Sequence, residues 1–446
     1  MCVAIKSAES ANNIQPIACT VPEKDGQNKP ERPQYEVAEI LRQHGEEYRN
    51  NNSLTDQQSK AIFDIVNCRT STFGYHVDEC ENCSHLEVSY NSCGNRHCPK
   101  CQGNKRFKWI QDRLDDLLPV PYYHVVFTIP NQIFPLAIYN QEIIYNLLFE
   151  ASAATLKQFA SNSKWWNIPK DISQEKVIDV ILGFFGVLHT WGQTLSFHPH
   201  IHYVVPGGCL HSSGKWLFPS YQSSFLFPVK AMALVFRGKF IEGLKEAYYS
   251  GKLELPGDLN RFAVVDEFEA WIDELVDRDW VTYSKPPFAG PEQVIEYVSR
   301  YTHRVAISNH RILSSENNEI CFSYKDYKDD GKQKEMTLSA DEFIRRFLHH
   351  ILPAKFHRIR HYGYLANGNS KAKEAALQAA LVEENLNGQK NMEVTSNFRT
   401  NKIGRTCPNC DSEKFATFFI VDGFGRVIFG EEEWQGKYNF LLQNTT

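Results

Sequence analysis

Apolar and polar positions along the chain alternate in patterns that predict a mixture of helices and strands. Residues 122–130 are rich in β-branched and aromatic side chains between prolines, which is typical of a buried strand. Residues 177–192 predict one or two more strands, and residues 195–208 predict another. Apolar positions at helical spacing predict helices at residues 35–50, 103–118, 134–160 and 291–303. A strand meander is predicted at residues 311–315, 319–325 and 335–339.

Start and stop signals refine these elements. Gly290-Pro291 opens the 291–303 helix, because proline is tolerated in a first helical turn. Residues 339–342 form a capping-box pattern that predicts a helix ending near residue 351. Residues 1–33 lack apolar periodicity and predict a disordered leader. Residues 366–405 are polar, and we expect a mobile tail with a helical portion.

Composition favours a folded, multi-domain protein. The chain has 446 residues, of which 42% are hydrophobic and 13% aromatic, enough to bury a core. It has no uninterrupted apolar run of the length that a membrane helix needs, and the first residues do not resemble a secretion signal. We therefore expect a cytoplasmic protein without a membrane partner.

Charge is concentrated in two basic segments, although the net charge of −5 argues against a surface that is basic throughout. Aromatic side chains lie among the basic ones in both segments, which favours binding of nucleic acid. The alternative is a pair of ordinary solvated faces. The candidate DNA-binding residues of these segments are Arg96, Lys105, Arg106, Lys108, Arg358 and Arg360.

Six of the twelve cysteines fall between Cys68 and Cys101, a crowding that indicates metal binding in a cytosolic chain. Two Cys-x2-Cys pairs can present four thiolates to one structural Zn²⁺, and these pairs are Cys80, Cys83, Cys98 and Cys101. A possible second site would use Cys68, His76, Cys93 and His97, for which buried free cysteines and surface histidines are the alternative. The pair Cys407 and Cys410 has no visible partner pair, so we assign it no metal.

Three histidines alternate in the segment "LSFHPHIHYVVPGG". On a regular strand His198, His200 and His202 share one face, which suits a divalent cation. Gln193 or His189 could add a ligand from just upstream. Pro199 predicts that this strand begins there or lies at a sheet edge.

The 291–303 helix carries Tyr297 and Tyr301, whose spacing places both phenols on one face. Such tyrosines can simply be part of an amphipathic helix packed on a core. Beside a metal site, a phenol oxygen can instead act as a nucleophile toward phosphorus. Arg300 and Arg304 on the same segment are candidate phosphate contacts, or else solvated arginines.

Six blocks of the sequence together resemble one known family. They are "FGYHVDECENC", "YNSCGNRHCPKC", "HVVFTIP", "LHTWGQTLSFHPHIHYVVPGG", "YVSRYTHRVAISN" and "RIRHYGYLAN". In this order and spacing, from about residue 60 to residue 367, they resemble the insertion-sequence ninety-one family of rolling-circle transposases, which are two-tyrosine HUH endonucleases.

The resemblance implies an α+β fold in which a small zinc-binding module precedes an HUH nuclease domain with an antiparallel sheet and flanking helices. We expect a leader at 1–33, a zinc-binding DNA-binding domain at 34–118, the nuclease domain at 119–365 and a tail with an isolated Cys-x2-Cys at 366–446. The histidine pair of the family corresponds to His200 and His202, with His198 or Gln193 as the third ligand. The tyrosine pair corresponds to Tyr297 and Tyr301.

The activity so implied is a metal-dependent endonuclease and strand transferase, using Mg²⁺ or Mn²⁺ beside structural Zn²⁺. It would nick and rejoin single-stranded or hairpin DNA at element ends through a 5′-phosphotyrosine intermediate. Two alternatives stay open: a plasmid replication initiator or relaxase of the same chemistry, and a non-catalytic zinc-dependent DNA-binding regulator. A cut-and-paste transposase would need an acidic constellation that the sequence does not offer.

Overall fold

A computed structural model describes residues 33–102, 118, 120–172, 175–220, 226–285, 305–366, 368–387 and 406–430. The helices within these residues are α1 (Val37–Asn51), α2 (Asp56–Val66), α3 (Phe134–Tyr139), α4 (Gln141–Ala160), α5 (Val229–Tyr249), α6 (Val265–Val276), α7 (Ala340–His349) and α8 (Ser370–Asn387). The strands are β1 (Tyr75–Cys80), β2 (Leu86–Tyr90), β3 (Tyr122–Thr128), β4 (Val180–Ile181), β5 (Phe184–Trp191), β6 (Phe197–Pro206), β7 (Cys209–His211), β8 (Trp216–Leu217), β9 (Thr282–Lys285), β10 (Ile312–Glu316), β11 (Glu319–Asp326), β12 (Lys332–Ser339), β13 (Ile359–Tyr362), β14 (Phe415–Val421) and β15 (Val427–Phe429).

The central element is a five-stranded antiparallel sheet in the order β13-β5-β6-β3-β9. Strand β3 is buried along its whole length, as its dense β-branched and aromatic sequence predicts. Strand β6 lies in the middle, between β5 and β3. Together with the helices, this arrangement confirms the predicted α+β class with antiparallel sheets.

The two faces of this sheet are covered differently. Alternate residues such as Phe127 and Tyr203 point into the main core, where helices α4 and α5 contribute Phe149 and Phe236. The opposite face is covered at one end by a smaller core that includes Val204 and alanines of α8. The other end of that face carries the histidines described below.

A separate core joins the N-terminal helices to a later part of the chain. Helices α1 and α2 pack with α7 and with the sheet β10-β11-β12, which is the predicted meander. Local signals begin these helices: Thr55 and Gln58 form a capping box at α2, and the Ser339 hydroxyl accepts from the Glu342 amide at α7. This core draws residues from both the predicted zinc-binding unit and the predicted nuclease unit.

A four-stranded sheet combines strands from distant parts of the sequence, in the order β15-β14-β1-β2. Strand β14 pairs with β1 from Tyr75 opposite Val421 to Cys80 opposite Phe415. Its buried core is small and consists of Tyr75, Val77, Phe419 and Val421. The cysteine pair of the tail, predicted to be isolated, therefore belongs to a segment that is built onto the N-terminal sheet.

Two further sequence predictions have definite outcomes. Residues 370–387 are helical, which confirms a helical portion in the tail. The prediction that the histidine strand begins at Pro199 or lies at an edge is wrong, because β6 begins at Phe197 and is central. Pro199 is tolerated because pairing with β3 ends at His200 and the pairing with β5 is irregular between His189 and Trp191.

Among the described helices, none is long and apolar enough to cross a membrane.

Candidate metal centres and catalytic site

Three imidazoles converge at the centre of the five-stranded sheet. His189 lies on β5 directly opposite His200 of β6, and His202 follows two residues later on the same face of β6. A ligand nitrogen from each of the three rings lies within 4.8 Å of the other two. All three residues are at most 3% exposed. The group therefore has the composition and the proximity of a metal site.

Hydrogen bonds fix how two of these rings are turned. The His200 Nδ1–H donates to the carbonyl of His198 at 2.6 Å, which directs Nε2 toward the neighbouring ring. The Nδ1 of His202 lies 2.8 Å from Nε2 of His124 on β3. The two Nε2 atoms of His200 and His202 are 3.0 Å apart. Ligands at right angles around a cation, each about 2.1 Å away, would be about 3.0 Å apart, so the pair fits such an ion.

Burial keeps these rings uncharged. Loss of hydration lowers the pKa of His200 to about 4, and it lowers the pKa values of His202 and His124 well below the usual value for histidine. At neutral pH each ring is therefore a neutral imidazole with a lone pair on one nitrogen. A neutral imidazole is the form that binds a metal.

The third member of this group is His189, which the sequence offered only as an additional ligand. The preferred candidates for the third ligand occupy other positions. His198 is half-buried and lies outside the group, with its ring between those of His200 and Phe134, at 5.0 Å and 5.9 Å between centroids. Gln193 lies in the turn after β5, and its backbone carbonyl accepts a hydrogen bond from Arg311, so its side chain stays a predicted ligand. The register of β5 against β6 places His189 opposite His200. The residue pattern of one strand does not reveal how that strand is aligned with its neighbour.

Several predicted site residues fall in segments outside the described residues. They are Tyr297, Tyr301, Arg300, Arg304, Lys105, Arg106 and Lys108.

Of the predicted DNA-binding arginines that the structure describes, Arg96 contacts the protein itself. Its guanidinium donates to the carbonyls of Pro353 at 2.6 Å and Phe356 at 2.5 Å. Arg360 donates to Asn146 and stacks on Phe149 at 4.3 Å, and desolvation lowers the pKa of Arg358 to about 10. These internal contacts give Arg96 in particular a packing role between the N-terminal module and the loop after α7.

Two groups of four cysteines are present among the described residues, and they differ from the predicted pairing. The first cysteine cluster consists of Cys68, Cys93, Cys98 and Cys101. The second cysteine cluster consists of Cys80, Cys83, Cys407 and Cys410. The two Cys-x2-Cys pairs that were predicted to share one zinc thus belong to different clusters. Cys407 and Cys410, which were assigned no metal, complete the second of them.

The geometry of the first cysteine cluster suits a tetrahedral ion. The Sγ atom of Cys101 lies 3.4 Å from that of Cys68 and 3.6 Å from that of Cys93. Four sulfurs about 2.3 Å from a central zinc would be separated by about 3.8 Å. Hydrogen bonds from the surrounding thiols lower the pKa of Cys101, so the cluster favours a thiolate. The donor set therefore fits Zn²⁺.

The histidines predicted as companions of these cysteines are used elsewhere. His76 lies with Nδ1 2.8 Å from the Asn91 side-chain oxygen. His97 is buried, and its Nε2 accepts from the backbone amide of Leu352 at 3.3 Å. Sequence proximity suggested both residues, but cysteines alone form the two groups.

One residue of the histidine centre was not predicted from the sequence. His124 is 1% exposed, and its ring lies edge to edge with that of His202, with 5.0 Å between centroids. Its position inside a predicted buried strand was the available signal, since a histidine there needs a polar partner. The partner could be named only once β3 was placed beside β6.

Comparisons with known proteins define the class. Residues 183–373 match the family model described as "Putative transposase", and residues 40–129 match the model described as "Transposase zinc-binding domain". The chain is therefore a transposase, an enzyme that processes DNA. The second model contains all of the first cysteine cluster, in agreement with zinc as its metal.

Two curated relatives narrow the family. "Putative transposase y4qJ" of Sinorhizobium fredii is 42% identical over 395 residues, covering 87% of this chain and 96% of the relative. The "Transposase for insertion sequence element IS801" of Pseudomonas savastanoi pv. phaseolicola is 27% identical over 321 residues, covering 70% and 72%. The chain belongs to the IS91 family of transposases. No solved structure matches it significantly.

Proposed function

We propose that this transposase is a rolling-circle enzyme of the HUH type. It would nick and rejoin single-stranded DNA at the ends of its element through a 5′-phosphotyrosine intermediate. The observation that carries the proposal is the convergence of His189, His200 and His202 in the centre of an antiparallel sheet. Burial of three imidazoles side by side is costly, whereas a shared cation makes it favourable.

The proposed catalytic ligands are His189, His200 and His202, and the proposed ion is Mg²⁺ or Mn²⁺. When bound, such an ion withdraws charge from a phosphate oxygen and favours attack at phosphorus. Neighbouring residues of the protein orient the ligand rings. The His198 carbonyl holds the ring of His200, and His124 holds the ring of His202.

The proposed nucleophiles are Tyr297 and Tyr301. Attack by one phenolic oxygen forms a tyrosine–phosphorus bond and breaks the bond from phosphorus to the 3′-oxygen. The phenol loses its proton, the leaving oxygen gains one, and the products are a 5′-phosphotyrosine and a free 3′-hydroxyl. A second tyrosine lets the enzyme hold one strand while it receives another, which suits a transposition cycle.

The described residues on both sides of the tyrosine segment support this assignment. Lys285 ends β9 directly opposite His124 of β3. On the other side of the segment, Val305 and Ala306 are buried. Ala306 belongs to the same core as Leu195, and Leu195 lies in the turn between β5 and β6. The described residues that flank the tyrosine segment therefore lie at or beside the sheet that carries the histidines.

Contacts to DNA are proposed for basic residues around these elements. The likeness to a single-strand-processing family favours single-stranded or hairpin DNA as the substrate. Backbone phosphates would be met by cationic side chains, and unpaired bases would stack on aromatic ones. The proposed cationic contacts are Lys105, Arg106, Lys108, Arg300 and Arg304.

A covalent-adduct assay tests this function. The full chain is incubated with Mn²⁺ and labelled single-stranded DNA that carries an end of the element, and the products are separated in denaturing gels. We expect a labelled protein band with the wild type and none with the Tyr297→Phe, Tyr301→Phe double variant. His200→Ala should also abolish it. His211→Ala is the matched control, since His211 is half-buried on β7, lies outside the histidine group, and its ring bonds to the nearby Ser213.

The opposite outcomes are equally clear. An adduct of undiminished yield in the double tyrosine variant would contradict the assigned nucleophiles. Tight binding of the labelled strand without an adduct or a free 3′-hydroxyl would favour the non-catalytic regulator, in which the histidines serve structure alone.

A further inference from the structure

We propose that the second cysteine cluster binds a zinc ion of its own, which fastens the β14–β15 hairpin to the N-terminal sheet. This site is independent of the proposed nuclease chemistry. Half of it lies outside both matching family models, because those models end at residues 129 and 373. Cys407 and Cys410 come after both.

The sulfur positions carry the proposal. The Sγ atoms of Cys80 and Cys410 are 3.6 Å apart, and those of Cys83 and Cys407 are 3.5 Å apart. All four sulfurs lie within 4.8 Å of one another. A tetrahedral zinc with bonds of about 2.3 Å requires sulfurs about 3.8 Å apart. The two measured sulfur–sulfur distances are within about 0.3 Å of this spacing.

The two cysteine turns have the same backbone geometry. In the first turn, the Ser84 amide donates to the Cys80 carbonyl at 2.9 Å, and Ser84 has a φ of 55°. In the second, the Asp411 amide donates to the Cys407 carbonyl at 2.9 Å, and Asp411 also has a φ of 55°. Each turn bends two sulfurs toward the same side, and the two turns face each other. Such paired turns are the arrangement that binds zinc in small cysteine modules.

The four-stranded sheet around the second cysteine cluster has a small hydrophobic core. Among the described residues, the sheet β15-β14-β1-β2 has four fully buried hydrophobic residues, with five partly buried ones packed against them. Small units of this kind need a metal or a cross-link, because too little apolar surface is buried to fix them. The Glu81 amide donates to the carbonyl of Lys414 at 3.1 Å, which places the two turns in register beside the cluster.

Thiol labelling of the wild-type protein tests the site without any substitution. The zinc-loaded full chain is treated with N-ethylmaleimide before and after a chelator, and labelled positions are located by peptide mass mapping. Cys83 is exposed and Cys410 is half-buried, so burial alone does not protect them. We expect both to label more slowly than Cys321 before chelation and to label rapidly after it. Cys321 is half-buried outside either cluster and should label alike in both conditions.

Metal analysis gives a second measurement. The double variant Cys407→Ser, Cys410→Ser should contain one zinc per chain fewer than the wild type, and Cys321→Ser should contain the wild-type amount. Cys410→His should retain the ion, since histidine can replace one thiolate.

Four results would overturn the proposal. The first is labelling of Cys83 and Cys410 at the rate of Cys321 before chelation. The second is that a reductant, but not a chelator, makes the Cys83 and Cys410 thiols available for labelling. The others are an unchanged zinc content in the double variant, and iron in place of zinc. The second of the four results would indicate disulfides. Because no DNA is present in either experiment, failure here leaves the proposed nicking activity untouched.

Discussion

Replacement of His124 by phenylalanine would test whether the histidine centre depends on a partner that is not itself a ligand. The two rings of His124 and His202 are nearly coplanar, with 12° between their planes, and meet edge to edge at His124 Nε2 and His202 Nδ1. Phenylalanine keeps an aromatic ring at this position and removes both ring nitrogens, including the Nε2 that faces His202. The substitution thus removes the hydrogen bond and retains an aromatic side chain in the core.

The size of the effect follows from the contact that is lost. The two nitrogens are 2.8 Å apart and fully buried, so water cannot replace the missing partner. Loss of such a supporting hydrogen bond typically weakens metal binding by about 10- to 100-fold, or about 1.4–2.7 kcal/mol. We expect this loss in the affinity for Mn²⁺ of the His124→Phe variant.

Calorimetric titration of the zinc-loaded full chain with Mn²⁺ provides the measurement. His124→Gln is the matched control, because its amide oxygen can reach the position of Nε2 and accept from His202. The glutamine variant should recover most of the lost affinity. Equal Mn²⁺ affinity in the wild type and His124→Phe, with only a lower melting temperature in the variant, would refute the reasoning and make His124 a packing residue.

Three further predictions concern stability and can be checked by urea or acid unfolding of the full chain. Ser339→Ala removes the cap of α7 and should cost about 1 kcal/mol, whereas Ser339→Asp should preserve the cap. Arg96→Ala leaves the carbonyls of Pro353 and Phe356 without their charged donor and should cost about 2 kcal/mol without changing the zinc content; an unchanged unfolding midpoint would contradict this. Hydrogen bonds from Arg345 and Arg346 lower the pKa of Glu342 to about 2, so its stabilising effect is complete above the usual carboxyl pKa and disappears as the pH falls toward 2. Glu342→Gln should therefore lose less stability than the wild type between about pH 4.5 and pH 2, and parallel acid-unfolding curves would argue against this pair.

The sequence predicted those features that depend on local periodicity. Strand β3, the α3–α4 helical region and the β10–β12 meander follow directly from spacing and turn residues. His200 and His202 could also be recognised, because a strand places alternate residues on one face. Their environment could not be derived, because His189 and His124 come from the two neighbouring strands and depend on register.

The cysteine clusters also depend on strand pairing that the local sequence does not reveal. Pairs that are close in sequence appeared to be natural partners, so Cys80 and Cys83 were joined to Cys98 and Cys101. The pairing of β1 with β14 overrides that proximity, because it places a turn near the end of the sequence beside the first cysteine turn. No local pattern contains such a long-range contact, and Cys407 and Cys410 carried only the signal of a pair without a companion.

The sheet that unites β1 with β14 also has a consequence for biosynthesis. Cys80 and Cys410 are 330 positions apart. At about 5–20 residues per second, roughly 20–60 s of translation separate them. During that interval the nascent polypeptide presents an open strand edge, which a chaperone or a second nascent polypeptide can occupy. A frameshift or stop codon upstream of residue 406 would make that edge permanent, so truncated products should aggregate rather than compete with the full-length transposase.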